Sequence, residues 1–115
     1  MIVIHCEFYV DPNDRDAWIE SAVRTATISR SEVGCLSYQF SFDVAEPNIA
    51  YAYEVWASQE DLDAHMAAPH HAIRLRELEA WNIVRREAVF YGIEWARDFL
   101  AEQGAAASST DLGSA

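Results

Sequence analysis

The stretch Ile49–His71 offers a sheet no wet face, and that restricts the folds open to the chain. Alternation along Ile49–Trp56 sets Tyr51, Tyr53 and Val55 on one side and Ala52, Glu54 and Trp56 on the other. A strand with large apolar groups on both sides belongs to a sheet that is covered twice. Ser58 then stands where an N-cap belongs, and Glu60 and Asp61 follow in a first turn whose dipole favours negative charge. Leu62, His65 and Met66 share one face of that helix, which stops at Pro69. His65 therefore points where Leu62 and Met66 point, toward the sheet. Glu54 shares its side with Ala52 and Trp56, and a buried carboxylate there costs several kcal/mol unless it is paired or solvated.

The remaining elements fall into place around this stretch. Ile2–Val10 reads as a strand with Ile2, Ile4, Cys6, Phe8 and Val10 on one side and Val3, His5, Glu7 and Tyr9 on the other. A helix is expected to about Ser31, with Ile19, Ala22, Val23 and Ala26 as its buried stripe and Glu20–Arg24 as a solvent-side pair. Gly34 fits a cap or turn position that needs positive φ. Cys35–Phe42 alternates sharply, with Leu36, Tyr38, Phe40 and Phe42 on one face, and Asp43–Asn48 is a hairpin-length connection. Pro69 begins a third helical stretch to about Trp81, with Ala72, Leu75, Leu78 and Trp81 spaced three apart and Arg76 and Glu79 facing water. Val84 to about Ile93 is the last strand, with Ala88 and Phe90 set against Val89 and Tyr91. Trp95–Gln103 reads as a short helix.

Residues 1–103 are read as one domain, and residues 104–115, rich in Ala and Ser, as a disordered tail with too few large apolar groups to fold. A net charge of −11, with eight basic residues that are all arginine, argues against nucleic acid and anionic membrane as partners. Neither a run of about 18 apolar residues nor a leader-like start is present, so a cytoplasmic protein is expected. Cys6 and Cys35 lie in strands without CxxC spacing and read as two reduced, buried thiols.

The order βαββαβ, with its second helical region broken at Pro69, is that of an α+β, ferredoxin-like sandwich. Helices cover one face of such a sheet, whereas these strands carry apolar groups on both. A symmetric homodimer, sheet against sheet, is expected to cover the other.

Three phrases resemble one known family: Ser-Glu-Val-Gly-Cys-Leu-Ser-Tyr (31–38), Tyr-Glu-Val-Trp-Ala-Ser (53–58) and Asp-Ala-His-Met-Ala-Ala-Pro-His-His (63–71). In order and at this spacing they are similar to the antibiotic biosynthesis monooxygenase domain, quinol monooxygenase-like members included, over roughly residues 1–93. The resemblance implies a dimeric α+β barrel with a cleft between sheet and helices. The chemistry it implies ranges over cofactor-independent oxygenation of anthrones and quinols, haem degradation, and isomerisation of a phosphorylated sugar derivative. The haem-degrading members carry a strand asparagine, a helical tryptophan and a later histidine where this chain has Cys6 or a neighbour, His65 and Leu75, which sets haem aside. The isomerase resemblance runs through Glu7, Tyr53-Glu54, His65, Pro69-His70 and Phe90-Tyr91-Gly92.

His65 alone fits a core histidine satisfied by a backbone carbonyl as well as it fits a base. With Glu54 and Trp56 just upstream, at positions the resemblance places in the pocket, it is read as the catalytic base, since an imidazole can remove a phenolic or enolic proton near neutrality. Glu54 is read as its catalytic partner, with a solvated carboxylate or an arginine partner as the alternative. Trp56, Tyr38 and His70 are candidate substrate contacts, although aromatics such as the first two more often build cores. His5 and Glu7 fit an interface or a pocket equally. His70 and His71 diverge at a helix start, and HxH or HExxH spacing is absent, so no metal site and no cofactor are expected. The expected function is cofactor-independent oxidation of a small phenol, anthrone or quinol with O₂. Isomerisation of a small oxygenated metabolite by enolisation, or ligand binding without turnover, are the alternatives.

Overall fold

A computed structural model describes residues 1–102 and 104; Gln103 and all of the expected tail except Gly104 lie outside the described residues. The chain runs β1 (Ile2–Val10), a 3-10 turn (Pro12–Asp14), α1 (Arg15–Ser29), β2 (Cys35–Phe42), β3 (Ile49–Trp56), α2 (Gln59–Ala67), α3 (Pro69–Ala80), β4 (Ile83–Gly92) and a single turn α4 (Phe99–Glu102). The four strands form one antiparallel sheet in the order β2-β3-β1-β4. This is the ferredoxin-like α+β arrangement that the βαββαβ order implies. Among the described residues, no helix is long and apolar enough to cross a membrane.

The core lies between the sheet and the helices. Ile4, Cys6, Phe8 and Val10 of β1 meet Ala50, Ala52 and Trp56 of β3, Tyr38 of β2, Trp18 and Ala26 of α1 and Leu62 of α2. The opposite sheet face carries Val3, His5, Tyr51, Tyr53, Val89 and Tyr91 in register, with Tyr53 and Tyr91 exposed in the single chain.

Four sequence expectations are corrected here. In α1 the buried residues are Trp18, Ser21, Ala22, Thr25, Ala26 and Ser29, while Ile19 and Val23 stand exposed. The helix is rolled so that Trp18 fills the core and its small residues admit α3. Arg24 accordingly pairs with Glu77 of α3 instead of Glu20. In α3 the buried residue is Arg74, stacked on Trp18 and Phe40, whereas Ala72 and Leu75 are exposed. In β2 the pairing slips between Cys35 and Ser37, so Leu36 is bulged out of the core face and Cys35, half-buried, takes that side.

A second bulge, opposite Glu7 and Phe8, governs β4. Simple alternation puts Arg86 on the face of Ala88 and Phe90. The slip pairs Phe8 with Arg85 instead, turning Arg85 toward the helices, while Arg86 meets Glu7 on the outer face at 3.4 Å. The terminal helix is also shorter than expected, a single turn from Phe99.

Candidate active site around His65

Three short segments bring the site together, each fixed by local chemistry. Ser58 caps α2 by accepting from the Asp61 backbone N–H at 3.1 Å, and Ala68 ends it in an extended conformation, as the residue before a proline favours. Gly34, at φ 78, holds the turn after α1 against the start of α2, and a Cβ there would overlap the Asp61 carboxylate. The Ala57 N–H bonds the Gly34 carbonyl at 2.8 Å and the Cys35 N–H bonds that of Glu32 at 3.2 Å. Glu32 is thereby held beneath His65.

His65 is 2% exposed, facing the sheet as its helical position requires. Its ring lies 4.6 Å from Trp56 at 34° and 5.5 Å from Tyr38. Nδ1 stands 2.7 Å from Glu32 Oε1, and since a carboxylate oxygen only accepts, the proton on this side belongs to Nδ1. Nε2 is then left facing Glu54 Oε1 at 3.9 Å. Glu54 is buried and accepts from Trp56 Nε1–H at 3.0 Å, a partner that the sequence reading did not anticipate. Burial holds its carboxyl above the ordinary carboxylate range, against the opposing pull of the indole hydrogen bond and of His65.

His65 and Glu54 share the wall of a cavity of about 180 Å³, with Ile4, Cys6, Leu62, Met66, His71, Leu75, Arg85, Ala88 and Phe90. His71 brings a buried Nδ1 without a hydrogen-bond partner, and burial, then the neighbouring His65, lowers its pKa. The Cys6 thiol is pushed up by burial and by the Glu54 charge, so it stays protonated and inert as a nucleophile. A larger cavity, of about 380 Å³, lies between α1 and β2 among Trp18, Ile19, Val23, Phe40 and Phe42. Arginines are its only ionisable lining groups, so the smaller cavity is the candidate for acid–base chemistry.

Of the five residues singled out in the sequence, His65 and Glu54 face this cavity. Trp56 and Tyr38 pack around the His65 ring, and burial raises the Tyr38 phenol well above its usual value. His70 sits behind, its Nε2 3.0 Å from Glu32 Oε1 and 3.2 Å from Ser29 Oγ. Sequence reasoning missed Glu32 and Arg85. Glu32 lies in the Ser31–Tyr38 phrase, two residues before the turn glycine, but nothing local says which helix that turn docks against. Arg85 reaches the cavity only because of the β4 bulge.

Comparison with known proteins agrees with this architecture. Over 69 residues the chain is 35% identical to sll1783, an uncharacterized protein of Synechocystis, with 60% of this chain and 47% of the relative aligned. The chain thus spans about half the length of the curated relative it matches. A Deinococcus radiodurans crystal structure named for the antibiotic biosynthesis monooxygenases superposes with a TM-score of 0.80 at 22% identity, covering 86% of this chain and 98% of that one. One from Chloroflexus aurantiacus, of the same name, gives 0.70 at 24% identity over 84% and 96%. At such identities the likeness carries the fold alone. The sequence profile described as Antibiotic biosynthesis monooxygenase matches residues 1–72, more than half of the chain, and the protein belongs to that family.

Proposed function

We propose that the protein is a monooxygenase that oxidises a small phenol or quinol with O₂, His65 acting as the base. The observation that carries this reading is the polarity of His65: Glu32 holds Nδ1–H, and Nε2 opens toward Glu54 in a cavity lined mostly by apolar groups, with Arg85 and His71 also on its wall. Nε2 and Glu54 Oε1 stand 3.9 Å apart, so a substrate hydroxyl about 2.8 Å from each can bridge them from the cavity side. Nε2 removes the hydroxyl proton, and Arg85 supplies a positive charge on the same wall for the anion formed. Exclusion of water keeps that anion electron-rich enough to pass one electron to O₂. Recombination at a ring carbon gives a hydroperoxide, which loses water, so one oxygen atom stays in the product and the other leaves as water. The volume of about 180 Å³ lies below the ~300–1,000 Å³ common for drug-sized ligands and favours a one- or two-ring substrate.

Glu54 supports a second reading. A carboxyl kept above its ordinary range beside an imidazole is the acid–base pair that an enolising isomerase needs. The two readings separate in one assay. Oxygen uptake by chelator-treated protein with benzohydroquinones or naphthohydroquinones is expected to fall about 10²- to 10⁴-fold in His65→Ala. Uptake unchanged in that variant removes His65 from the mechanism, and deuterium exchange from solvent without oxygen uptake favours the isomerase.

A further inference from the structure

Two imidazoles and one carboxylate converge behind the His65 ring, on the side away from the cavity. Glu32 Oε1 lies 2.7 Å from His65 Nδ1 and 3.0 Å from His70 Nε2, and the three donors fall within 4.8 Å of one another. They come from the turn after α1, from α2 and from the first turn of α3, which is why no short motif announces them. We propose that Glu32, His65 and His70 form a binding site for a first-row divalent cation such as Zn²⁺.

Ligand spacing is the first argument. Zinc–nitrogen and zinc–oxygen bonds of about 2.0–2.2 Å set neighbouring ligands roughly 3.0–3.5 Å apart. The two short separations are within a few tenths of an ångström of that. Both ring nitrogens lie within 3.0 Å of one carboxylate oxygen, so a cation among the three donors needs a withdrawal of the Glu32 carboxylate and a closing turn of the two rings, whose nitrogens lie within 4.8 Å of each other.

Proton accounting is the second. Without a cation, one oxygen accepts from two N–H groups, while Ser29 Oγ at 3.2 Å competes for the His70 proton. A cation takes the place of both protons, which pass to the far nitrogens of the two neutral rings, so binding shifts both tautomers without net proton release. The third argument is the surroundings of the ligands. When Nδ1 of His65 binds metal, its proton lies on Nε2, 3.9 Å from Glu54 Oε1, and a short approach of that carboxylate would give the metal-bound histidine an outer partner. Access is the fourth: the Glu32 and His70 side chains keep 19% and 13% of their surface exposed against 2% for His65, so an ion enters from solvent without crossing the cavity.

The donor set decides the class of ion. Imidazoles suit zinc, nickel, iron and copper, and a single carboxylate is too little oxygen for Ca²⁺ or Mg²⁺. Three protein ligands leave a position for water. Cation binding and base catalysis are then exclusive at His65, because a metal on Nδ1 leaves Nε2 protonated. Occupancy should therefore silence the base that the proposed oxidation needs.

The test is a titration of chelator-treated full-length protein with ZnCl₂ by calorimetry and with CoCl₂ by visible absorption, without substrate. One ion per chain, d–d bands of low-coordinate cobalt, and no competition from Mg²⁺ are expected. Glu32→Gln and His70→Ala should each weaken binding about a hundredfold or more, and Asp63→Asn, on the exposed side of α2, should leave it unchanged. Binding that is absent, or as tight in both ligand variants as in the wild type, overturns the site. Should either variant fail to fold, ¹⁵N-histidine spectra of the wild-type protein decide: zinc must shift His65 and His70, and shifts confined to His5 overturn it. Because the readout is binding, failure here leaves the oxidation proposal standing, and the reverse also holds.

Discussion

Replacing Arg74 by methionine should leave the protein as stable as before or more so, whereas alanine at the same position should destabilise it by about 2–4 kcal/mol. The guanidinium is buried 4.2 Å over the Trp18 ring and 5.0 Å from that of Phe40. Nη1 donates to Ser21 Oγ at 2.7 Å, and the Ser21 hydroxyl donates to Glu77 at 3.0 Å. Nη2 is buried with no partner. Burial lowers the pKa of Arg74 from 12.5 to about 10. At about 1.4 kcal/mol per pH unit that is a desolvation penalty of about 3 kcal/mol. Stacking on desolvated rings returns up to about 2 kcal/mol, and a charged hydrogen bond about 1.5–3. The two sides nearly cancel, so methionine, which keeps the packing and removes the charge, should lie within about 1 kcal/mol of the wild type or above it. The folded-state pKa is the lower one, so the penalty is complete below about pH 10 and eases only above it. The difference between wild type and Arg74→Met should thus be flat across neutral pH. Urea unfolding followed by tryptophan fluorescence measures it. A methionine variant as unstable as the alanine variant would refute the reasoning, because the charge would then be a net stabiliser.

Glu32→Gln should lower turnover by about 10²–10⁴ with little change in KM, since Glu32 orients His65 from outside the cavity; steady-state kinetics separate the two constants. Glu54→Gln should be the more stable protein above the ordinary carboxylate range and equal to wild type below it. Its folded pKa is raised, so wild-type stability is lost as pH rises from the unfolded value toward the folded one; melting curves at acid and neutral pH check this, and a constant difference would contradict it. The outer sheet face with Tyr51, Tyr53 and Tyr91 should pair with a second copy, burying on the order of 2,000 Å². Sedimentation equilibrium of the chain ended at Gln103 should give a dimer, Tyr53→Glu should weaken it, and a folded monomer of the unmutated chain would contradict it.

Much of the fold was legible because its signals are local. Alternation in Ile49–Trp56, the Ser58 cap and the Pro69 stop placed β3, α2 and α3 and turned His65 and Glu54 toward one another. What escaped was set by tertiary fit. The roll of α1 follows from Trp18 filling the core and Arg74 lying on its ring, an arrangement that a stripe of Ile19 and Val23 conceals. The bulge near Phe8 moves Arg85 to the cavity and Arg86 away, and residue type on one strand does not encode a slip in pairing with the next. Glu32 reaches His65 across 33 residues through the docking of the Gly34 turn, and no spacing rule anticipates that contact.

Isotope labelling tests the central claim, that His65 and its cavity direct O₂ onto a small phenolic ring, most directly. Chelator-treated protein should be supplied with a naphthohydroquinone under ¹⁸O₂ and the product weighed by mass spectrometry. The account predicts one ¹⁸O atom retained per product, the second released as labelled water without hydrogen peroxide, and loss of this incorporation in His65→Ala. Product without ¹⁸O, with peroxide formed at the rate of the protein-free solution, would contradict it.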